Sequence, residues 1–314
     1  MHLERRNYYR GFLAILVAAL LWSTLGIMGK LLIKEGVDII AGVSLRPFFA
    51  FLILFAFRPI FPKNRRAVPE NGTRKALFFA LFGLVGVTSF YILYFLAVKT
   101  TSISLAVILL YTAPIWVLVF SLLSRWEKFS PEKGAGIFLS LLGIFLIAQA
   151  SWGESSPLGL FVGLGSAITY ALFTYFGKIA LEKYDLGTVL TWVFGFGTLG
   201  FVPFWLLKPE LVIQLFFHPM AIFISFLLGL GPTAISYGAY LWALNYVPPT
   251  VAALTCTLEP VLGSVWGILF FGEKFTLGKA IGGFLILMAV IIASLGKGKF
   301  NLRASLLAPN RRKY

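Results

Sequence analysis

Residues 248–275 read PPTVAALTCTLEPVLGSVWGILFFGEKF, an apolar run that is long enough to cross a membrane. A carboxylate, Glu259, and a proline, Pro260, lie near its middle, and a short charged turn closes it. A carboxylate inside an apolar helix is costly unless another group pairs with it or a function uses it. The stretch therefore predicts a membrane-spanning helix with a polar centre that is a candidate for function.

The composition is that of a membrane protein. Of the 314 residues, 59% are hydrophobic and 12% are charged, whereas soluble domains carry about 25% charged residues. The net charge of +15 would suggest nucleic-acid binding in a soluble chain, but the basic residues lie mostly between the apolar runs. That placement favours membrane topology and contact with anionic lipids, so we expect no nucleic-acid partner. With one cysteine and no histidine at the centre of an apolar run, we expect no disulfide, no metal and no cofactor.

Ten apolar runs are each about 20 residues long, the length of a helix that crosses a hydrocarbon core of ~30 Å. The ten-residue alternation of spanning strands is absent from the sequence, so we predict an all-α polytopic membrane protein. The predicted spans are 11–33, 38–57, 76–98, 102–124, 133–151, 157–181, 187–207, 219–244, 249–271 and 276–296.

The distribution of Lys and Arg predicts the orientation of these spans. Nineteen of the 27 basic residues lie in segments on one side of the spans, five lie on the other side, and three fall inside spans. Cytoplasmic segments carry the excess of basic residues in membrane proteins. We therefore expect a multi-pass protein of the cell inner (plasma) membrane with both termini in the cytoplasm and a basic cytoplasmic tail at 297–314.

The second half of the chain repeats the first half. Pro114 corresponds to Pro260, and at the same offset Glu-Lys-Phe at 127–129 corresponds to Glu-Lys-Phe at 273–275. Each half contains five spans, and because five is odd the second half enters the membrane inverted. Inverted repeats are typical of transporters, with the substrate site near the midplane where the repeats meet. The predicted repeats are 11–151 and 157–296.

The residues that follow the central prolines resemble the closing part of the EamA repeat, which defines the main branch of the drug/metabolite transporter (DMT) superfamily. The match is Gly-Glu-Lys-Phe-Thr at 272–276 and Gly-Lys-Ala-Ile-Gly-Gly at 278–283, with a weaker copy at 126–130. The resemblance covers nearly the whole chain. It implies a secondary transporter; members of this superfamily carry amino acids, nucleobases, sugars or drugs, usually as proton-linked exporters or as facilitators.

The start of the first repeat resembles the same family. Leu-Trp-Ser-Thr at 21–24 is similar to its first-helix motif, and Arg46 is similar to the Arg of its second-helix Arg-Phe motif. Here Pro47 stands where the family usually has Phe directly after Arg, and we expect this proline to kink the second helix.

Two opposite charges lie deep inside predicted spans. At ~1.5 Å per residue, Arg46 lies about 12 Å and Glu259 about 15 Å into spans entered from opposite sides. Both depths are near the centre of the membrane. We interpret the two residues as a gated ion pair, or Glu259 as a proton-coupling site that loads and releases a proton. A purely structural pair, or a carboxylate that bonds backbone groups freed by Pro260, remains an alternative. Ala113 takes the place of Glu259 in the first repeat, so the carboxylate is not repeated.

Aromatic and hydroxyl side chains at similar depth are predicted to line a substrate cavity. Such a lining suits an amphipathic small molecule better than an inorganic ion, although each residue taken alone has a packing or membrane-interface role as its alternative. The predicted cavity residues are Trp22, Ser23, Arg46, Tyr91, Tyr94, Tyr111, Tyr170, Thr174, Trp192, Tyr237, Trp242, Thr255 and Glu259.

Two further pairs occupy equivalent positions in the repeats. Pro114 and Pro260 each remove a backbone donor, so we predict hinges for alternating access, with static kinks as the alternative. Gly29-Lys30 corresponds to Gly177-Lys178, and both lysines lie about 28 Å along their runs at ~1.5 Å per residue. We expect them to reach opposite membrane interfaces by extending along the helix.

The sequence thus predicts a secondary transporter that moves a small organic metabolite, an amino acid or a related compound, as efflux across the inner membrane by alternating access, with protons as a candidate coupling ion. A lipid or lipid-linked sugar translocase on the same fold is one alternative, for which Arg46 offers a phosphate contact but no basic cluster lies at depth. An intramembrane enzyme is the other, and we expect no enzymatic activity because a histidine inside the spans and a second cysteine are absent from the sequence.

Overall fold

The structure is a computed structural model that describes residues 2–61, 72–148 and 156–295, with side chains from residue 5 onward. These residues form helices and contain no strand. The α-helices are α1 (His2–Ser23), α2 (Leu25–Lys34), α3 (Ile39–Ser44), α4 (Arg46–Ala56), α5 (Gly72–Gly83), α6 (Phe90–Thr100), α7 (Ile103–Leu110), α8 (Ala113–Leu123), α9 (Pro131–Ala148), α10 (Pro157–Lys183), α11 (Leu186–Leu199), α12 (Val202–Leu207), α13 (Pro209–Phe216), α14 (Pro219–Gly229), α15 (Ser236–Ala243), α16 (Pro249–Cys256), α17 (Glu259–Phe271) and α18 (Leu277–Leu295). A 3-10 turn covers Arg58–Ile60.

Ten stretches among the described residues are long and apolar enough to cross a membrane, which confirms the predicted number. Their bounds differ from the predicted runs by a few residues, mainly because charged residues at the ends continue the helices. The ten spans are Arg5–Lys34, Ile39–Ala56, Gly72–Thr100, Ile103–Leu123, Pro131–Ala148, Pro157–Lys183, Leu186–Leu207, Pro219–Ala243, Pro249–Phe271 and Leu277–Leu295. The predicted tail at 297–314 lies outside the described residues.

Three spans are interrupted just before a proline. The second span breaks between α3 and α4 beside Pro47, the fourth between α7 and α8 beside Pro114, and the ninth between α16 and α17 beside Pro260. Proline has no N–H for the preceding turn, and its ring crowds the carbonyl four residues back. The kink expected at Pro47 is therefore present, and the two central prolines break equivalent spans at equivalent places.

The first span is also broken, between α1 and α2, although it contains no proline at that point. The hydroxyls of Ser23 and Thr24 donate to the carbonyls of Leu20 and Leu21, at 2.6 and 2.7 Å. Such back-bonding competes with the helical ladder and bends helices. The equivalent sixth span, α10, runs unbroken for 27 residues, so the two repeats differ here.

Two π-helical turns lie between the helices of the third and eighth spans. They cover Leu84–Ser89, between α5 and α6, and Leu230–Ile235, between α14 and α15. The two segments occupy equivalent positions, because the offset that relates Pro114 to Pro260 also relates Leu84 to Leu230. π-Helical turns are rare and often occur at functional sites. The segment at Leu230–Ile235 includes Pro232, whose carbonyl contributes to the site described below.

The fifth and tenth spans approach each other closely at a pair of glycines. A Cβ atom on Gly143 of α9 would lie 2.5 Å from the carbonyl oxygen of Gly282 in α18. Two such atoms cannot approach so closely, so Gly143 is required for this contact. Small residues that let helix backbones approach closely are a common basis of packing between membrane helices.

The fourth and ninth spans are closed against each other on one side of the molecule and separated on the other. We call the side with the 124–130 loop the Glu127 face and the side with the 272–276 loop the Glu273 face. Toward the Glu127 face, α8 packs against α16, and all eight residues of α16 are buried. Toward the Glu273 face, α7 and α17 make at most marginal contact, and Gly267 is the one residue of α17 that is buried.

Two features differ from expectation. The α13 helix, outside the spans, was not predicted; it packs on α3 and α14 and buries Leu215 completely. The expectation that Lys178 extends to a membrane interface is wrong, because its side chain is 6% exposed and donates to the carbonyl of Leu244 at 2.6 Å. Lys30 is half exposed and pairs with Glu273 at 3.0 Å.

Candidate functional site

Trp22 lies at the centre of an aromatic cluster where the two repeats meet. Its indole N–H donates to the carbonyl oxygen of Pro232 at 2.8 Å, and the side chain is nearly fully buried. Its ring lies 5.1 Å from the ring of Tyr237 and 6.3 Å from that of Tyr170, both in edge-on contact. Contacts of this kind stabilise a rigid aromatic surface, which joins the first span to the sixth and eighth spans.

Arg46 begins α4 directly after the break in the second span. Its Nε–H donates to the hydroxyl of Thr233 at 3.2 Å, and its Nη2 donates to the Pro232 carbonyl at 3.4 Å. The guanidinium also lies 4.8 Å from the ring centre of Tyr91. The residue is 6% exposed, and no carboxylate of the described residues lies within 4.0 Å of it.

Arg46 is buried without an acidic side chain of the described residues in contact with it, so its charge and several of its donors are not balanced. A guanidinium has five N–H donors, and only two donor atoms of Arg46 have partners among the described residues within hydrogen-bond distance. The two partners are neutral oxygens, which balance little of a buried charge. Arg46 is thus equipped to receive an additional anionic group, such as a carboxylate.

Glu259 is the first residue of α17 and lies where the closed part of the ninth span gives way to the separated part. The Tyr111 hydroxyl faces its carboxylate, and Tyr94 is close by. The first turn of a helix favours negative charge because its N–H groups lack partners within the helix. Glu259 is half-buried and begins α17, the part of the ninth span that makes little contact with α7 of the fourth span.

Arg46 and Glu259 share one electrostatic environment but do not touch. Each interacts with the other and with the Tyr237 side chain, yet no ion pair within 4.0 Å joins them. The two charges, one contributed by each repeat, are therefore not in contact in this structure, and a gated ion pair stays a prediction.

Several other predicted residues lie around this centre. Tyr91, from the third span, is 3% exposed and lies beside Tyr237. Thr174 hydrogen-bonds to the Tyr240 hydroxyl at 2.8 Å, and the ring of Tyr240 contacts that of Trp22. These side chains, contributed by spans of both repeats, are packed together in the buried core around Trp22.

Ser23 and Thr255 have more local partners. The Ser23 hydroxyl accepts from the indole N–H of Trp266 at 2.8 Å, between the packed helices α1 and α17. The Thr255 hydroxyl is fully buried and donates to the Val251 carbonyl of its own helix at 2.8 Å. Ser23 thus links the first span to the ninth, whereas Thr255 is satisfied within α16.

Two predicted cavity residues lie away from the centre. Trp192 is 40% exposed on the outer surface and stacks on Phe196. Trp242 packs on Tyr246 toward the Glu127 face, 4.8 Å between ring centres. Helical periodicity alone did not fix which side of α11 and α15 faces the interior. We therefore leave both tryptophans out of the proposed cavity.

Some residues of the centre were missed in the sequence. Tyr240 follows Tyr237 by three residues, a spacing that places both on one helix face. Trp266 follows Glu259 by seven residues, two helical turns, and this spacing was a usable signal. Thr233 and the carbonyl of Pro232 gave no signal, because only the π-helical turn brings them toward Arg46.

Ten membrane spans in two inverted halves, with polar and aromatic side chains from both halves at the centre, define a multi-pass membrane protein of the transporter class. The model of the EamA-like transporter family matches the chain twice, over residues 9–149 and 157–295. The chain belongs to this family.

Relatives along nearly the whole chain support this assignment. An uncharacterized transporter of Archaeoglobus fulgidus is 27% identical over 90% of this chain and 96% of the relative. The uncharacterized inner membrane transporter YicL of Salmonella typhimurium is 25% identical over 91% and 95%, and the uncharacterized transporter YdfC of Bacillus subtilis is 30% identical over 80% and 79%. A crystal structure with 18% sequence identity covers 91% of this chain and 96% of its own with a TM-score of 0.73, a likeness of fold alone.

Proposed function

We propose that this protein is a secondary transporter that exports a small zwitterionic metabolite, an amino acid or a related compound, across the inner membrane by alternating access. The observation that carries the proposal is the pair of buried, opposite charges that do not contact each other. Arg46, from the first repeat, has donors without partners among the described residues, and Glu259, from the second, is half-buried beside the Tyr111 hydroxyl. A carboxylate at the first and an ammonium group at the second would neutralise both charges.

The aromatic cluster supports an organic substrate. Trp22 and Tyr237 pack edge-on at 5.1 Å, and Tyr237 lies within electrostatic reach of both charged groups. Aromatic rings of this kind bind apolar side chains and ammonium groups. Ligand sites of this kind combine a mostly apolar lining with a few convergent polar groups. Amino acids with apolar side chains therefore match the site better than inorganic ions do.

The asymmetry between the two faces supports alternating access. The fourth and ninth spans pack at the Glu127 face and separate at the Glu273 face, and the breaks at Pro114 and Pro260 divide the closed from the open parts. We propose that the two breaks are the hinges and that the structure represents one of two opposite states. In an inverted repeat, exchanging the conformations of the halves generates the other state.

The charge distribution supports an orientation. The segments on the Glu127 side hold nineteen Lys and Arg residues against five on the other side, so we propose that the Glu127 face is cytoplasmic. Both termini and the 297–314 tail are then cytoplasmic, and the structure is open to the outside. A reporter fused to the C-terminus that is active only outside the cytoplasm would show activity if this orientation were wrong.

Transport in proteoliposomes tests the function. Wild-type protein is reconstituted, and the flux of a panel of radiolabelled amino acids, sugars, nucleobases and lipids is measured with and without a pH gradient. We expect flux of apolar amino acids, driven by the proton gradient. Flux of lipids alone would support the translocase alternative. Substrate flux that does not depend on the pH gradient would indicate a facilitator.

Glu259→Gln tests the coupling role within the same assay. The substitution keeps the size of the side chain and removes its titration, so we expect proton-driven flux to be abolished while the protein remains folded. Glu210→Gln, the same change at an exposed acid of α13, serves as the matched control with wild-type flux. Full gradient-driven transport by Glu259→Gln would refute the coupling role.

A further inference from the structure

The loops that define the two faces are equivalent in sequence and built alike. In the 124–130 loop, Lys133 pairs with Glu127 at 2.6 Å and donates to the carbonyl of residue 128 at 2.9 Å. In the 272–276 loop, Lys279 pairs with Glu273 at 3.0 Å and donates to the carbonyl of residue 274 at 3.2 Å. These positions correspond to one another at the offset that relates Pro114 to Pro260, so each loop holds its glutamate in the same local frame.

The two glutamates differ in what they hold. Glu127 accepts a hydrogen bond from the backbone N–H of Thr250 at 2.9 Å, and its side chain is 1% exposed. Thr250 lies in the first turn of α16, whose capping position, Pro248, provides no side-chain acceptor. Glu127 therefore binds the start of the ninth span to the end of the fourth span, on the closed side.

Among the described residues, Glu273 makes no comparable bond to a backbone N–H at the start of another span. It accepts from the Lys30 ammonium at 3.0 Å and its side chain is 40% exposed. The residue equivalent to Thr250 is Ser104, in the first turn of α7, where Ser102 caps the N–H of Leu105 at 3.1 Å. The N–H of Ser104 is not bonded by Glu273, and the spans are separated on this side.

A lysine lies near each of the two glutamates, and these two lysines also correspond in sequence. Lys30, which holds Glu273 in the open loop, corresponds to Lys178, since Gly29-Lys30 in the first repeat matches Gly177-Lys178 in the second. Lys178 lies within electrostatic reach of Glu182 and, more weakly, of Glu127, and it donates to the Leu244 carbonyl. A partner for a released Glu127 is therefore already in place at the Glu127 face.

We propose that Glu127 and Glu273 are alternating latches of two gates, where a gate is the contact between the fourth and ninth spans at the Glu127 face or at the Glu273 face. In the state described here, Glu127 binds the N–H of Thr250 and keeps the Glu127 face closed. In the opposite state, Glu273 leaves Lys30 and binds the N–H of Ser104, while Glu127 leaves Thr250 and pairs with Lys178. Carboxylates bond strongly to free N–H groups at helix starts, so each latch stabilises its own closed gate. The proposal rests on alternating access, which is part of the proposed function.

Distance measurements between spin labels test the latches. Labels are placed at Ile103 and Leu269, both about two-thirds exposed on the separated helices, in the full chain with Cys256→Ala. We expect one long distance for the wild type. Glu127→Ala removes the closed latch and raises the ratio of short to long distances roughly 10- to 150-fold, the factor for one charge-assisted hydrogen bond.

A second substitution separates a latch from a local defect. Ser104→Pro removes the N–H that Glu273 needs, and proline is tolerated in the first turn of a helix. Added to Glu127→Ala, it should return the distances to the long population. Lys128→Ala, an exposed neighbour in the same loop, is the control and should leave the wild-type distribution unchanged.

The outcomes discriminate between the ideas. A Glu127→Ala distribution equal to that of Lys128→Ala, or no reversal by Ser104→Pro, would overturn the latches. If Glu127→Ala does not fold, Glu127→Gln keeps an acceptor oxygen without the charge and should shift the ratio in the same direction by a smaller factor; no shift would refute the proposal. The distances need no substrate, so a shift without transport of any tested compound would overturn the proposed substrate class and leave the latches standing.

Discussion

Replacement of Arg46 by lysine tests the proposed role of the guanidinium most directly. Lysine keeps the positive charge but loses the planar fork that binds a carboxylate through two parallel hydrogen bonds. It also cannot reproduce the Nε–H bond to Thr233 or the contact with the Tyr91 ring at 4.8 Å. The expected loss is thus one charge-assisted hydrogen bond to the substrate, together with weaker positioning of the remaining one.

The size of the effect follows from that loss. A hydrogen bond to a charged group contributes about 1.5–3 kcal/mol, which corresponds to a rise in Kd of roughly 10- to 150-fold. The assay is binding of a radiolabelled amino acid from the transport panel to purified protein, compared with binding of the amine that lacks the carboxylate. Only the amino acid should lose affinity in Arg46→Lys.

The control uses a second arginine. Arg58 donates to the Thr188 hydroxyl at 3.2 Å near the Glu127 face, away from the aromatic cluster, so Arg58→Lys should leave the Kd of both compounds unchanged. The reasoning is refuted if Arg46→Lys binds the amino acid as tightly as the wild type. It is refuted equally if the amino acid and the amine lose the same affinity, because the effect would then come from a general change of the site.

Two further predictions concern stability and pH. Gly143→Leu should lower the free energy of unfolding by about 1–3 kcal/mol, the cost of overpacking, because its Cβ meets the backbone of the tenth span; thermal unfolding in detergent measures the loss, and an unchanged melting temperature would contradict the packing argument. The ammonium groups of Lys279 and Lys30 hold the pKa of the Glu273 carboxyl below its usual value. Its pairing therefore stabilises the protein fully above the usual pKa of about 4.3 and is lost as the pH falls through the lowered value. The melting-temperature difference between wild type and Glu273→Gln should shrink over that range, and a difference that persists below it would refute the assignment.

The architecture was predictable because it depends on composition and length. The ten apolar runs, the offset between matching residues of the two halves (146 residues at Pro114 and 148 at Lys30) and the odd number of spans per half were sufficient to predict an inverted-repeat membrane protein. The breaks beside Pro47, Pro114 and Pro260 were accessible for the same reason, since a missing N–H interrupts a helix wherever it occurs. The break after Ser23 was missed because hydroxyl back-bonding depends on the rotamer.

The site was less predictable, because tertiary contacts decide its geometry. Depth along a helix placed Arg46, Glu259 and Tyr111 at a similar level of the membrane, yet it could not reveal that the carbonyl of Pro232 would bond to Arg46. Trp192 was assigned to the interior, although its helix turns it outward. Periodicity gives the faces of a helix but not which face the neighbouring spans cover.

The comparison of the two repeats separates motion from chemistry. Features that occur in both halves are the central proline breaks, the π-helical turns and the glutamate–lysine loops. A change between two states in which the halves exchange conformations needs such features in both halves, because each half must adopt both conformations. Glu259 has no counterpart, since Ala113 stands at its position. The proposed substrate has two different charged ends and would use groups that occur only once, so we propose that the differences between the repeats form the binding site and that the similarities form the moving parts.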